Sequence, residues 1–182
     1  MKKFNTKALV QAAVLLAICI VSQFFKNMSV YITGPIINTC LIICVLTAGL
    51  GWAVVLSIVT PITSYLITGS PIMSAIPLII PAVMLGNIIM AAAIGLVRKR
   101  TSKNFSLLIS MAAGSILKAL FMGTVIALFL IPALLPEKML PKMTVFQTTF
   151  SVTQLITALI GSALAYIIWL PLMKVLKAQK VD

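Results

Sequence analysis

The fold turns on residues 35–68, PIINTCLIICVLTAGLGWAVVLSIVTPITSYLIT, a stretch with no charged residue. A helix needs about 20 residues to cross a hydrocarbon core of ~30 Å. The stretch is too long for one such helix and short for two. Gly49-Leu50-Gly51 at its middle is a tight-turn signal. Charge decides between the readings. Ten of the fourteen Lys and Arg fall in three short clusters: Lys2, Lys3 and Lys7; Arg98, Lys99, Arg100 and Lys103; Lys174, Lys177 and Lys180. Such clusters mark cytoplasmic loops. With the N-terminus and the Arg98 cluster on one side, an even number of crossings must separate them. Splitting the stretch into helices over 35–49 and 52–68 meets that condition.

Working outward, apolar runs at 8–25, 76–97, 105–131 and 145–170 give the remaining spans. The spacing predicts an all-α integral membrane protein of six transmembrane helices with both ends cytoplasmic, in one domain over residues 1–182. Composition agrees. Apolar residues make up 62% and charged residues 9% of the chain, and mean hydropathy is +1.20. A soluble domain carries about a quarter charged residues. The run at 8–25 lacks a small-residue cleavage site after it and reads as a retained span. The second helix is expected to be short. The net charge of +12 follows membrane topology, not nucleic-acid binding.

The absences are informative. The chain has no histidine, and its only carboxylates are Glu137 and Asp182. No acid–base pair, metal set or embedded proton relay can be assembled from these, so neither an enzyme nor a metal site nor a cofactor is called for. No phosphate loop of the Gly-x4-Gly-Lys-Ser/Thr type is present. Cys19, Cys40 and Cys44 lie in apolar runs and read as small buried hydrophobes. Active transport would need its energy from another subunit.

The polar groups left in the spans are the candidate contacts. Lys118 sits near the centre of the fifth span. There an ionisable group costs about 2.5–3.5 kcal/mol on the insertion scale. It reads either as an electrostatic contact for an anionic or carbonyl-bearing ligand, or as a structural lysine meeting backbone carbonyls or a partner. Gln147, Ser151 and Gln154 share one helical face with Ala158 and Gly161. They read as ligand contacts or as helix–helix glue. Asn87 follows Gly86 after Pro77 and Pro81, which are expected to bend the fourth span and free carbonyls towards a cavity. Asn38 opens the second span; Tyr31 and Tyr65 serve as ligand contacts or interfacial anchors. Apart from the central Lys118, these groups map to the outer half, opposite the basic clusters. In the first span Ala8 and Ala12, then Ala13 and Ala17, sit four apart, a spacing that permits close helix approach.

The chain resembles the substrate-binding S component of an energy-coupling-factor (ECF) transporter. The resemblance covers nearly the whole length. It rests on size, six spans, the short second helix, the alanine pairs, and the run from Thr68-Gly69-Ser70-Pro71 through Pro77, Pro81, Gly86 and Asn87. It implies a vitamin or similar micronutrient enclosed at the outer helix ends. It also implies partnership with a membrane coupling subunit (T component) and two cytoplasmic ATPases. The alanine motif of the first span, Ala8 and Ala12 or Ala13 and Ala17, would then face the coupling subunit. The alternatives from other classes are a stand-alone secondary carrier or channel and a non-transporting membrane scaffold. The orientation is directly testable. Topology reporters fused at Thr101 and at the C-terminus are expected to read as cytoplasmic, and one fused at Glu137 as external; the opposite pattern would invert the bundle.

Overall fold

A computed structural model describes residues 5–25, 29–100 and 104–178. Lys2, Lys3, Lys26, Lys103, Lys180 and Asp182 lie outside them. The described residues form helices and connections without strands. The elements are α1 Thr6–Gln23, α2 Val30–Thr47, α3 Leu50–Thr68, the short α4 Pro71–Ala75, α5 Ile79–Arg100 and α6 Asn104–Met122. A π-helical segment Gly123–Leu130 and α7 Ile131–Leu134 continue α6. A 3-10 turn Glu137–Lys142 leads into α8 Met143–Phe150 and α9 Val152–Ala178. Among the described residues, six helical stretches are long and apolar enough to cross a membrane.

The division of 35–68 falls where the sequence places it. α2 ends at Thr47, and Gly49 turns the chain with φ +95°, a conformation side-chain-bearing residues rarely adopt. The Gly49 amide donates back to the Cys44 carbonyl at 3.0 Å, and α3 starts at once. The start of α2 differs from expectation. It lies at Val30, where the Ser29 hydroxyl accepts from the Tyr31 amide at 3.2 Å. The helix runs through Gly34 and Pro35, so it is 18 residues long and not short. An internal proline removes one backbone bond, which neighbouring groups in a membrane bundle can offset. Tyr31 consequently belongs to the first turn of α2.

Two further boundaries shift. Pro77 and Pro81 do not bend a long helix: residues 76–78 are non-helical, and Pro81 sits in the first turn of α5. A missing N–H costs nothing at that position. The last span is not one helix either. Ser151, at φ −118° and ψ −89°, breaks it into α8 and α9. Extra structure beyond simple connection, α4 and the 3-10 turn, gathers at the end opposite Arg98.

Packing follows from small residues at the helix crossings. α2 and α9 meet at Gly161, where a Cβ would lie 2.6 Å from Asn38 Cβ and 2.9 Å from the Pro35 carbonyl oxygen. α5 and α6 meet at Gly86, where a Cβ would lie 2.8 Å from Met122 Cγ. Hydroxyls tie the α2–α9 crossing and the α6–α9 contact. Thr39 Oγ1 donates to the Gly161 carbonyl at 3.1 Å, and the Ser115 and Ser162 hydroxyls are 2.8 Å apart. At the basic end the Arg98 guanidinium stands 5.3 Å from the centroid of the Trp169 ring. The buried apolar residues form two clusters. One is built around Leu41, Leu56, Met90, Ile94 and Met111, the other around Ile72, Ile79, Met122, Ile126 and Phe150. Large apolar side chains also cover the outside, among them Leu66, Phe105 and Phe129, each more than two-thirds exposed. Lipid is the solvent that accepts such a surface.

Gly161→Val is expected to lower the melting temperature in detergent, since overpacking of this kind costs about 1–3 kcal/mol. Gly51→Ala is the control. Its Cβ would meet nothing within 4 Å, and it should leave stability unchanged or raised by up to ~1 kcal/mol.

Candidate ligand-binding site

On each of α5, α6 and α9 a polar residue lies between the members of the two apolar clusters. Asn87 lies between Ala82 and Met90, Lys118 between Met111 and Met122, and Gln154 between Phe150 and Ala158. They converge on a cavity of about 270 Å³, completed by Asn38 of α2 and by Thr60 and Ser64 of α3. The cavity lies towards the end with the extra structure. Ser70, Ile72 and Met73 bring the α4 segment over it, and Phe146, Thr149 and Phe150 bring α8. Most of the remaining wall is apolar.

Lys118 is 3% exposed, and its ammonium donates to Asn38 Oδ1 at 2.6 Å. Of the two sequence readings, the structural one receives a neutral amide partner on α2, and the ligand-contact one receives a cavity. The two are compatible, because an ammonium has three donors. Asn38 is held in turn by the close α2–α9 crossing at Gly161. Asn87 is buried, and its Oδ1 has no hydrogen-bond partner. Three buried side-chain polar atoms are orphaned among the described residues, and Asn87 Oδ1 is the one whose residue lines the cavity. An unmet acceptor of this kind costs about 1–3 kcal/mol unless something donates to it.

The other sequence candidates separate. Gln154 lines the cavity, and its amide nitrogen makes only a long contact, 3.5 Å, to the Thr149 carbonyl. Gln147 and Ser151 do not line this cavity. The break at Ser151 rotates α8 relative to α9, so the expected common face is lost. Both line a separate, apolar groove between the π-helical segment and α8–α9. There Gln147 Nε2 donates to the Ala127 carbonyl at 2.9 Å, and the Ser151 hydroxyl donates to the Gln147 carbonyl at 2.6 Å. Tyr31 is about half exposed and outside the cavity wall. Tyr65 meets the Ser74 hydroxyl at 3.3 Å, linking α3 to α4 beside the cavity. In α1, Ala8 and Ala12 are buried within the bundle, whereas Ala13 and Ala17 are exposed. The aromatic wall of Phe146 and Phe150 was not singled out from sequence. In so apolar a chain, a phenylalanine facing a cavity carries the same signature as one facing lipid.

Residues 7–173 match the family of ECF transporter substrate-specific components. The chain belongs to that family. No curated protein and no solved structure shows significant similarity to it. As an S component, it is a multi-pass membrane protein and a substrate-binding part of a transporter. Its relatives as a family work with a T component and ATPases. Among the described residues, no group of three or more His, Cys, Asp or Glu could hold a metal ion.

The groove around Gln147 can be separated from the cavity by mutation. Gln147→Leu leaves the Ala127 carbonyl without its donor. It is expected to cost about 1 kcal/mol of stability, read by thermal unfolding, while ligand affinity stays within about twofold. A large loss of affinity would return Gln147 to the binding site.

Proposed function

We propose that this S component captures a vitamin or similar micronutrient from outside the cell in the cavity formed by α2, α3, α5, α6 and α8–α9, and that partner ATPases energise its release inwards. The observation that carries the reading is the constellation of buried Lys118, Asn38 and Asn87 with half-buried Gln154 in a largely apolar cavity. Ligand pockets combine apolar walls with a few convergent polar groups in this way. Asn38, Asn87, Lys118 and Gln154 are the contacts favoured by this reading. Tyr65 contributes through the α4 segment, and Tyr31, Gln147 and Ser151 are left with anchoring or structural roles.

Orientation enters the proposal through charge. Basic clusters at both termini and at Arg98–Arg100 favour a cytoplasmic location for that end. The cavity then opens outwards, with α4 and the segment before α8 above it. The chain carries two carboxylates and no phosphate loop, which supports an external source of energy. Of the two alanine pairs, the exposed one, Ala13 and Ala17, is free to meet a T component. Ala8 and Ala12 already pack inside the chain. Small residues four apart let a partner helix approach closely.

The decisive comparison is uptake against binding. Vesicles with the chain, a T component and both ATPases should accumulate substrate on ATP addition, and vesicles with the chain alone should bind without accumulating. Accumulation by the chain alone would favour a stand-alone carrier instead. In the full assembly, Ala13→Leu with Ala17→Leu should reduce uptake at least tenfold while substrate affinity stays unchanged. Intact uptake in that variant would remove this face from the docking surface.

A further inference from the structure

We infer that the substrate is a compact monoanion whose single carboxylate docks on the Lys118 ammonium. This deepens the substrate-binding reading and rests on it. The inference begins with charge balance. Among the described residues, Lys118 is the one charged residue in the cavity wall. Of the chain's two acidic residues, Glu137 is not in that wall, and Asp182 lies outside the described residues. Asn38, the hydrogen-bond partner of Lys118, is neutral. A buried charge without a counter-charge is among the costliest arrangements in a low-dielectric interior. An anion supplied by the substrate completes it.

Valence and geometry then narrow the class. A phosphate group carries about −1.5 to −2 charges near neutral pH and three strong acceptors. Against one ammonium it would leave negative charge unmet, and no arginine fork lines the cavity to take it. A carboxylate matches the single cation. With one Nζ donor committed to Asn38, two remain. Asn87 adds a second requirement. Its unpartnered Oδ1 is an acceptor, so the substrate presents an N–H or O–H there. Asn87 and Lys118 line the same cavity, and Gly86, the residue before Asn87, keeps α5 close to α6 there: a Cβ at that position would stand 3.7 Å from Lys118 Cγ. The body of the molecule lies against Ile37, Met73, Val83, Phe146 and Phe150 and is apolar. At about 270 Å³ the cavity sits at the small end of ligand pockets, which run from about 300 to 1,000 Å³.

The test uses the intact chain and two charge variants. Asn38→Asp places a carboxylate beside the Lys118 ammonium and satisfies it internally, while Lys118→Gln removes the charge. Small molecules extracted from the purified proteins are methyl-esterified and identified by mass spectrometry. In parallel, each protein is titrated by thermal shift with benzoate, benzamide and phenyl phosphate, and with the corresponding naphthalene compounds. The wild type should carry or prefer a molecule with one carboxyl and no phosphate. Both variants should lose it by at least roughly 30-fold in affinity or occupancy, the loss expected when one side of a buried charge pair is removed. Asn38→Asp should keep or raise the melting temperature, which separates lost binding from lost folding. A neutral or phosphorylated molecule in the wild type would overturn the inference and leave the substrate-binding reading standing. So would undiminished acid binding in Asn38→Asp, or the absence of any preference for acid over amide and phosphate. A folded wild type that retains and binds no small molecule would overturn the substrate-binding reading itself, and this inference with it.

Discussion

The hydrogen bond from the Lys118 ammonium to Asn38, 2.6 Å across the bundle between α6 and α2, is the constraint around which the remaining structure is arranged. An ammonium inside a membrane-spanning helix must be held by something, and no acid lines its cavity among the described residues. An amide answers part of the need. It accepts one hydrogen bond and supplies no opposite charge. That incomplete answer requires close helix approach, which the glycines provide. Gly161 admits Asn38 against α9, and Gly86 admits the Lys118 stem and Met122 against α5. Larger residues at either position would force apart the helices that bring the polar groups together.

The two apolar clusters give this polar level its character. One lies towards the basic end and the other towards the end with α4 and the 3-10 turn. The cavity interrupts them, so a ligand there is surrounded by packed side chains above and below. Irregular backbone is placed at the same end. The π-helical segment after Met122 and the break at Ser151 redirect α7 and α8. Phe146 and Phe150 thereby reach the cavity, while the Ala127 carbonyl is met by Gln147. Hydroxyl contacts such as Ser115 with Ser162 hold the regular helices together away from the site.

Much of this was legible because polar residues stand out in so apolar a chain. Lys118, Asn38 and Asn87 could be picked from sequence as candidate contacts, and all three line one cavity. The six-helix count followed from charge parity, and Gly49 supplied the turn that parity demanded. What could not be read depends on context. Gly34-Pro35 resembles a helix boundary, yet α2 continues through it. The polar stripe at Gln147, Ser151 and Gln154 presumes a continuous helix, and the break at Ser151 sends its first two members to another groove. Four-residue alanine spacing occurs twice in α1, and only burial tells the inward pair, Ala8 and Ala12, from the outward pair, Ala13 and Ala17.

The site also bears on how this S component can commit to a substrate. A buried, partly satisfied ammonium makes the empty cavity less favourable than the filled one. The most direct test is an experimental structure of the ligand-loaded chain in a lipid or detergent environment. This account predicts ligand density in the cavity, with an acceptor atom about 2.7–2.9 Å from Lys118 Nζ and Asn38 still bound to the same ammonium. Ligand bound in another part of the molecule, or a Lys118 side chain turned out of the cavity towards lipid or a partner, would contradict it.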